Sequence, residues 1–179
     1  MTRTQYYVAA SLDGYIADRD GKLDWLFAFN DAEGVAEAYQ RFIADVGALA
    51  MGAATYEFVR AMGEAWPYAA PTWVFTHRKL PGIDGADIRF TAADVGEVHR
   101  EMVAAANGRN VWLVGGGNLV AQFVRRGLLD EILLSLAPVV LGGGTPLLPE
   151  AIAGRLELHG VERLGMGLVE LRYDVPRAG

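Results

Sequence analysis

The run Val111-Trp112-Leu113-Val114-Gly115-Gly116-Gly117-Asn118-Leu119-Val120 constrains this chain most: an apolar strand passes directly into three glycines and then opens a helix. Glycines let the backbone turn tightly and leave room for a ligand, and the free N–H groups of a helix's first turn point at whatever sits there. Such a terminus attracts anions, phosphate and pyrophosphate above all. Close strand-to-helix packing uses the same glycines, so the run alone leaves both readings open.

With 179 residues, 52% of them hydrophobic, the chain suits one domain over 1–179. A domain of that size buries roughly 70% of the surface its unfolded form exposes. The absence of cysteine excludes disulfides, thiol nucleophiles, zinc-thiolate sites and iron–sulfur clusters. A reducing cytoplasm is the expected location. The apolar run near the start is shorter than a signal-peptide core or the ~20 residues of a membrane span, so no membrane association is expected. The net charge is −6, with 16 Lys plus Arg against 22 Asp plus Glu, and no basic cluster is interleaved with aromatics. Nucleic acid is therefore not an expected partner.

Periodicity and turn chemistry divide the chain into alternating strands and helices. Gln5–Ala10 reads as a strand, Ser11-Leu12-Asp13-Gly14 as a turn, and Ile16-Ala17 as a further extended segment before the polar loop Asp18-Arg19-Asp20-Gly21. From Asp31, apolar residues at Val35, Ala38, Tyr39, Phe42, Ile43 and Val46 define a helix capped by Asn30 or Asp31. Ala48–Met51 is a strand stopped by Gly52, and Thr55–Met62 a helix ended before Pro67. Thr72–Thr76 and Ile88–Phe90 read as strands. A helix follows from an Asp94 cap to Ala106, closed by Asn107-Gly108.

After the Val111 strand comes a helix from Asn118 to Arg126 with Gly127 at its end. Glu131–Leu141 is apolar almost throughout, as in a strand covered on both faces, with a break at Pro138. Arg155–Val161 and Leu168–Val175 read as an antiparallel hairpin with Gly165-Met166-Gly167 near its turn. The sum is an α/β domain with a mixed sheet, parallel where helices intervene and antiparallel at the C-terminal end.

Several familiar motifs are missing. Gly115-Gly116-Gly117-Asn118-Leu119-Val120 lacks the final glycine of the dinucleotide fingerprint and lies late in the chain, which disfavours a standard Rossmann fold. No phosphate-loop lysine, nucleophile elbow or His-x-x-x-His pair occurs, and no metal is expected.

Five ordered segments resemble the dihydrofolate reductase family, in particular the branch with the C-terminal reductase domain of the riboflavin-biosynthesis deaminase-reductase. They are Val8–Ala17, Asp24-Trp25-Leu26, Met51–Glu57, Val114–Leu119, and the run from Leu129 through Ala137-Pro138 to Gly142-Gly143-Gly144-Thr145-Pro146-Leu147-Leu148. The resemblance implies a three-layer α/β/α, dihydrofolate reductase-like fold and an NAD(P)H-dependent reductase. It would transfer a hydride to a small heterocycle of the pterin, dihydrofolate or riboflavin-pathway pyrimidine type. NADPH is the implied cofactor, with NADH possible.

By that resemblance the nicotinamide end lies along Ala9 and Ile16. Gly115, Gly116, Gly117, Asn118 and Leu119 hold the pyrophosphate, with Gly52 and Thr55 reaching it from the other side. Thr76, His77 and Arg78 meet the adenosine ribose and its 2′-phosphate. One departure stands out, because the family usually has a cation after the glycine matched by Gly52 and this chain has Ala53.

Asp31 is nearest to the family's catalytic carboxylate, with Glu33 next. Asp13, Trp25 and Phe29 are the implied substrate contacts. A helix cap for Asp31, turn chemistry for Asp13 and core packing for the aromatics are the bland alternatives. A homodimer is implied, and a non-catalytic nucleotide-binding protein with the same fold is the alternative function.

Overall fold

Strands that are apolar at consecutive positions need cover on both faces, and that requirement organises the molecule. The computed structural model describes residues 1–63 and 65–176. In chain order its elements begin with β1 (Thr4–Ser11), β2 (Tyr15–Ala17), a single helical turn α1 (Asp24–Phe27), α2 (Val35–Ala44), β3 (Val46–Gly52) and α3 (Ala53–Ala61). Then come β4 (Thr72–Phe75), β5 (Ile88–Thr91), α4 (Val95–Ala106), β6 (Asn110–Gly115) and α5 (Gly117–Arg125). The chain ends with β7 (Glu131–Ala137), β8 (Thr145–Pro146), β9 (Glu157–Arg163) and β10 (Val169–Asp174).

Eight strands form one sheet in the order β5-β4-β3-β6-β1-β7-β10-β9. Every pairing from β5 across to β7 is parallel, and β10 runs antiparallel to both β7 and β9. Helices cover both faces. Ala48 and Ala50 of β3 join a core with Met102 of α4 and Val120 and Phe123 of α5. Their neighbour Leu49 packs with Phe42 of α2, and Met51 with Tyr56 of α3, on the opposite face. The three-layer α/β/α arrangement with a mixed, mostly parallel sheet is the one expected. Each fully buried large side chain, such as Phe123 or Leu49, contributes about 1.5–3 kcal/mol.

Local chemistry moves some boundaries from their expected places. Helix α2 starts at Val35 and not at Asp31, because Gly34 adopts a left-handed conformation (φ 83°) that ends the preceding turns. Val46 belongs to β3 and is buried in the sheet. Gly52 caps α3 directly, so that helix starts two residues before Thr55. The Asp94 cap is as expected, its Oδ1 accepting from the Gly96 amide at 2.8 Å, and Asn107 closes α4 in the left-handed region. Strand β7 stops at Ala137, so Pro138 terminates it and 138–141 is not strand.

A two-stranded sheet of β2 and β8 sits apart from the main one. Asp13 ties the loops beside it together: its carboxylate accepts from the Leu141 and Gly142 amides at 3.1 and 2.7 Å and from Ser11 Oγ at 2.7 Å. These donors hold the Asp13 carboxyl below the usual carboxylate range, the Ser11 hydroxyl most of all. Gly144 (φ 142°) brings the same segment so close that a Cβ there would lie 2.0 Å from the Ala17 carbonyl oxygen. We therefore expect Gly144→Ala to cost about 1–3 kcal/mol by overpacking. Gly82→Ala, at a position with nothing within 4 Å of the added carbon, is expected to stay within about 0.5 kcal/mol of wild type, with both variants read by urea denaturation.

Candidate functional site

The chain leaves β3 through α3 to reach β4 on one side, then returns through α4 to β6 on the other. In a parallel sheet the carboxyl ends of two strands whose connections diverge in this way frame a crevice. Met51 is registered with Gly115 there, so α3 and α5 both start at this edge. Their caps, Gly52 and Gly116, are extended (ψ 170° and 168°) and make no side-chain capping bond. The opening N–H groups of a helix have no acceptor in the turn before them; in α5 the Leu119 N–H is already taken by the Gly116 carbonyl at 3.0 Å, which leaves Gly117 and Asn118 to offer donors.

Between the helix starts lies a cavity of about 370 Å³. The expected phosphate contacts Gly52, Thr55, Gly116, Gly117, Asn118 and Leu119 all line it. The three glycines divide their work. A Cβ on Gly116 would meet open space, whereas one on Gly117 would come within 3.0 Å of Pro149 and 3.2 Å of the Pro146 carbonyl oxygen. Gly115 has φ 154°, and its peptide to Gly116 is cis. Ligand space and close packing are therefore both present, at adjacent residues.

This cavity shares Ala54, Thr55, Gly116 and Thr145 with a larger one of about 640 Å³. Ala9, Ile16, Gly115 and Phe29, all expected contacts, line the larger chamber. Strand β1 supplies Tyr7 and Ala9, which face the same side because strand side chains alternate. Strand β6 supplies Trp112 and Val114 in the same way. Tyr39 of α2, Phe58 of α3 and Ser135 of β7 complete the polar and aromatic part of the wall.

Tyr7, Trp112 and Tyr39 fall in expected strands and a helix, but nothing local marks them as lining a site. The period-two partners of Ala9 and Val114 are the signal that could have found the first two. Burial, helped by the Glu170 carboxylate, pushes the Tyr7 hydroxyl up to about 12. Burial likewise raises Tyr39. Glu170 itself is 1% exposed, accepts from Arg172 Nη2 at 2.7 Å, and leaves its Oε2 without a hydrogen-bond partner.

Four other expected residues fall elsewhere. Asp31 is exposed on the loop before α2 and lines neither cavity, so the position expected for a catalytic carboxylate points no acid into the chamber. Glu33 is exposed on the same loop and uses its carbonyl to accept from the Gly165 amide at 2.7 Å. Asp13 belongs to the loop clamp described above and Trp25 packs with Phe29 and Ala32, so neither of these substrate candidates lines the chamber.

Thr76, His77 and Arg78 follow β4 at the same sheet edge but line neither cavity. Arg78 donates to both Glu57 oxygens, at 3.2 and 2.6 Å. Exposed ion pairs of this kind are weak and screened by salt, so a phosphate can replace the carboxylate.

Among the described residues no lysine or arginine lines the smaller cavity, in keeping with Ala53. A cluster with metal-ligand chemistry, Glu131, His159 and Asp174, lies at the opposite edge of the sheet with its ligand atoms within 4.8 Å of one another. Gln5 donates to Glu131 at 2.7 Å and Arg3 pairs with Asp174, so protein donors already engage its carboxylates.

The model of the RibD C-terminal domain matches residues 64–169. Two uncharacterized Bacillus subtilis (strain 168) proteins resemble the chain. YwjB is 35% identical over 96% of this chain and 97% of its own length, and YyaP is 27% identical over 93% and 91%. The riboflavin biosynthesis protein RibD of Bacillus amyloliquefaciens is 28% identical over 82% of this chain, which matches 47% of that longer protein. Among solved structures, a putative riboflavin biosynthesis protein from a Shewanella species superposes with a TM-score of 0.83 at 28% identity, covering 98% of this chain and 100% of that one. A pyrimidine reductase-like protein from Corynebacterium diphtheriae shares the fold with a TM-score of 0.69 at 14% identity, over 99% and 93% of the two chains.

If main-chain amides alone grip an anion between α3 and α5, a cation added at that spot should strengthen the grip. Ala53→Arg is expected to tighten ADP binding about tenfold, the value of one charge-assisted hydrogen bond, as read by isothermal titration calorimetry. Unchanged affinity would place the diphosphate elsewhere.

Proposed function

Since the chain belongs to the RibD C-terminal domain family, we propose that it is a reductase that binds a reduced nicotinamide dinucleotide along the carboxyl edge of β4, β3, β6 and β1. The observation that carries this reading is the junction of the two cavities at Ala54, Thr55, Gly116 and Thr145. One side offers uncapped helix starts suited to a diphosphate; the other offers an apolar chamber suited to a flat ring.

Gly52, Thr55 and Gly116 to Leu119 would hold the diphosphate, and Ala9, Ile16 and Gly115 would flank the nicotinamide. Arg78, released from Glu57, would meet a 2′-phosphate, which favours NADPH over NADH. When bound, the cofactor supplies the hydride that reduces a C=O or C=N bond, and a proton completes the two-electron reduction.

The chain's own contribution is position and proton. Apolar walls from Leu26, Phe29, Phe58 and Trp112 exclude water around the reacting carbon. Among the described residues no carboxylate lines the chamber, so Asp31 is not the acid in this reading. Tyr7 and Ser135 present hydroxyls instead. Tyr7 keeps its proton throughout the neutral range because its Oη is pushed up to about 12, and that proton, shared with the neighbouring Glu170 carboxylate, would turn to the substrate oxygen or nitrogen when one is bound.

A non-catalytic nucleotide-binding protein would share the same grip on the diphosphate. It would have no use for a hydroxyl pair at the chamber wall, which is why the reductase reading is preferred.

Titration with NADPH should give saturable quenching of tryptophan emission, since Trp112 lines the chamber. A flat response, with a control reductase responding, would remove the cofactor assignment. Tyr7→Phe should lower kcat by about a hundredfold, the lower range for loss of a proton-transferring group, while the dissociation constant for NADPH stays the same. Asp31→Asn is expected to leave both unchanged in the same steady-state assay, and a large loss there would return Asp31 to the mechanism.

A further inference from the structure

The diaminohydroxyphosphoribosylaminopyrimidine deaminase/5-amino-6-(5-phosphoribosylamino)uracil reductase of Thermotoga maritima shares this fold, with a TM-score of 0.66 at 14% identity over 98% of this chain and 57% of that one. A phosphoribosyl substrate brings a dianionic phosphate into its site. Nothing in this chamber is built to receive one. Among the described residues lining it there is no Asp, Glu, His, Lys or Arg. Lys22 and Arg163, each one residue from a lining residue, are both exposed.

Helix starts are the other means of holding phosphate, and among the described residues three helices longer than the single turn α1 start at the chamber. Those of α3 and α5 face the cofactor's diphosphate. The third belongs to α2, whose first residue Val35 lines the wall. That terminus carries Asp31 and Glu33 in the loop before it and Glu37 in its first turn, negative charge that opposes a second anion. Beside the wall Glu170, the register partner of Ser135, adds a buried carboxylate already paired with Arg172. A phosphate entering here would lose its hydration without a compensating partner.

We propose that the substrate is an uncharged, planar ring compound without a phosphate group. The proposal rests on the reductase reading above. The ring would lie among Trp112, Tyr39, Phe58 and Phe29, where aromatic faces contribute stacking as well as apolar burial. Ser135, Tyr7 and Asn30 supply neutral hydrogen-bonding groups that orient a carbonyl or ring nitrogen. The reduced bond takes a hydride at carbon and a proton at oxygen or nitrogen, and the nicotinamide is oxidised by two electrons.

Three probes test the charge requirement by equilibrium dialysis against the wild-type protein: quinoxaline, quinoxaline-2-carboxylate and 5-amino-6-(5-phosphoribosylamino)uracil. Quinoxaline should bind at least about tenfold more tightly than either anion, a difference of about 1.4 kcal/mol. Its binding should quench emission in the wild type and much less in Trp112→Phe. Phe58→Arg should raise affinity for the carboxylate and not for quinoxaline. Equal or tighter binding of either anion by the wild type, or no binding of quinoxaline, would overturn the proposal. NADPH binding is read separately by energy transfer from tryptophan. A protein that binds NADPH and prefers the phosphoribosyl compound keeps the reductase reading and loses this one, whereas selective quinoxaline binding without NADPH binding does the reverse.

Discussion

The parallel ladder between β3 and β6 is the constraint on which the rest of the molecule depends. It places Met51 beside Gly115 and so delivers two helix starts to one point on the sheet edge. Neither helix could bring its amides there alone, because each is positioned only by the strand it follows. The ladder is held in turn by burial on both faces, with Ala48 and Ala50 against α4 and α5 and Leu49 and Met51 against α2 and α3. Packing and function are thus coupled through the same short strand.

The chamber next to that point gets its character from strand alternation. Tyr7 and Ala9 on β1, Trp112 and Val114 on β6, and Ser135 on β7 share one face of the sheet, and α2 and α3 close over them. The result is a wall rich in rings and poor in charge beside a cleft lined by main-chain donors. A bipartite ligand, with one anionic and one flat uncharged part, suits this pairing better than either half would separately. That division of labour also explains why the conspicuous acids of the sequence, Asp13 and Asp31, take no part in the wall.

Much of the fold was legible because the strand-helix alternation is local. The Asp94 cap, the Asn107 stop and the Val111-to-Gly117 transition each follow from the chemistry of a few neighbouring residues. The start of α2 was missed because Asn30 and Asp31 are good capping residues, and only the left-handed Gly34 shows that the chain is still turning there. The pairing of β2 with β8 joins segments more than a hundred residues apart, and no local pattern in Tyr15–Ala17 announces it. In the site, residues that approach through the backbone were readable from their glycines. Side chains such as Tyr39 and Trp112 were not, because a half-buried aromatic looks the same in sequence whether it faces a core or a chamber.

The uncapped starts of α3 and α5 have a consequence for how such proteins diverge. An anion held by peptide N–H groups makes few demands on side-chain identity, so substitution can proceed along both helices as long as the turn geometry persists. Fold likeness surviving at 14% identity fits that freedom. The positions least free to change are then glycines such as Gly117, where an added carbon would come within 3.0 Å of Pro149.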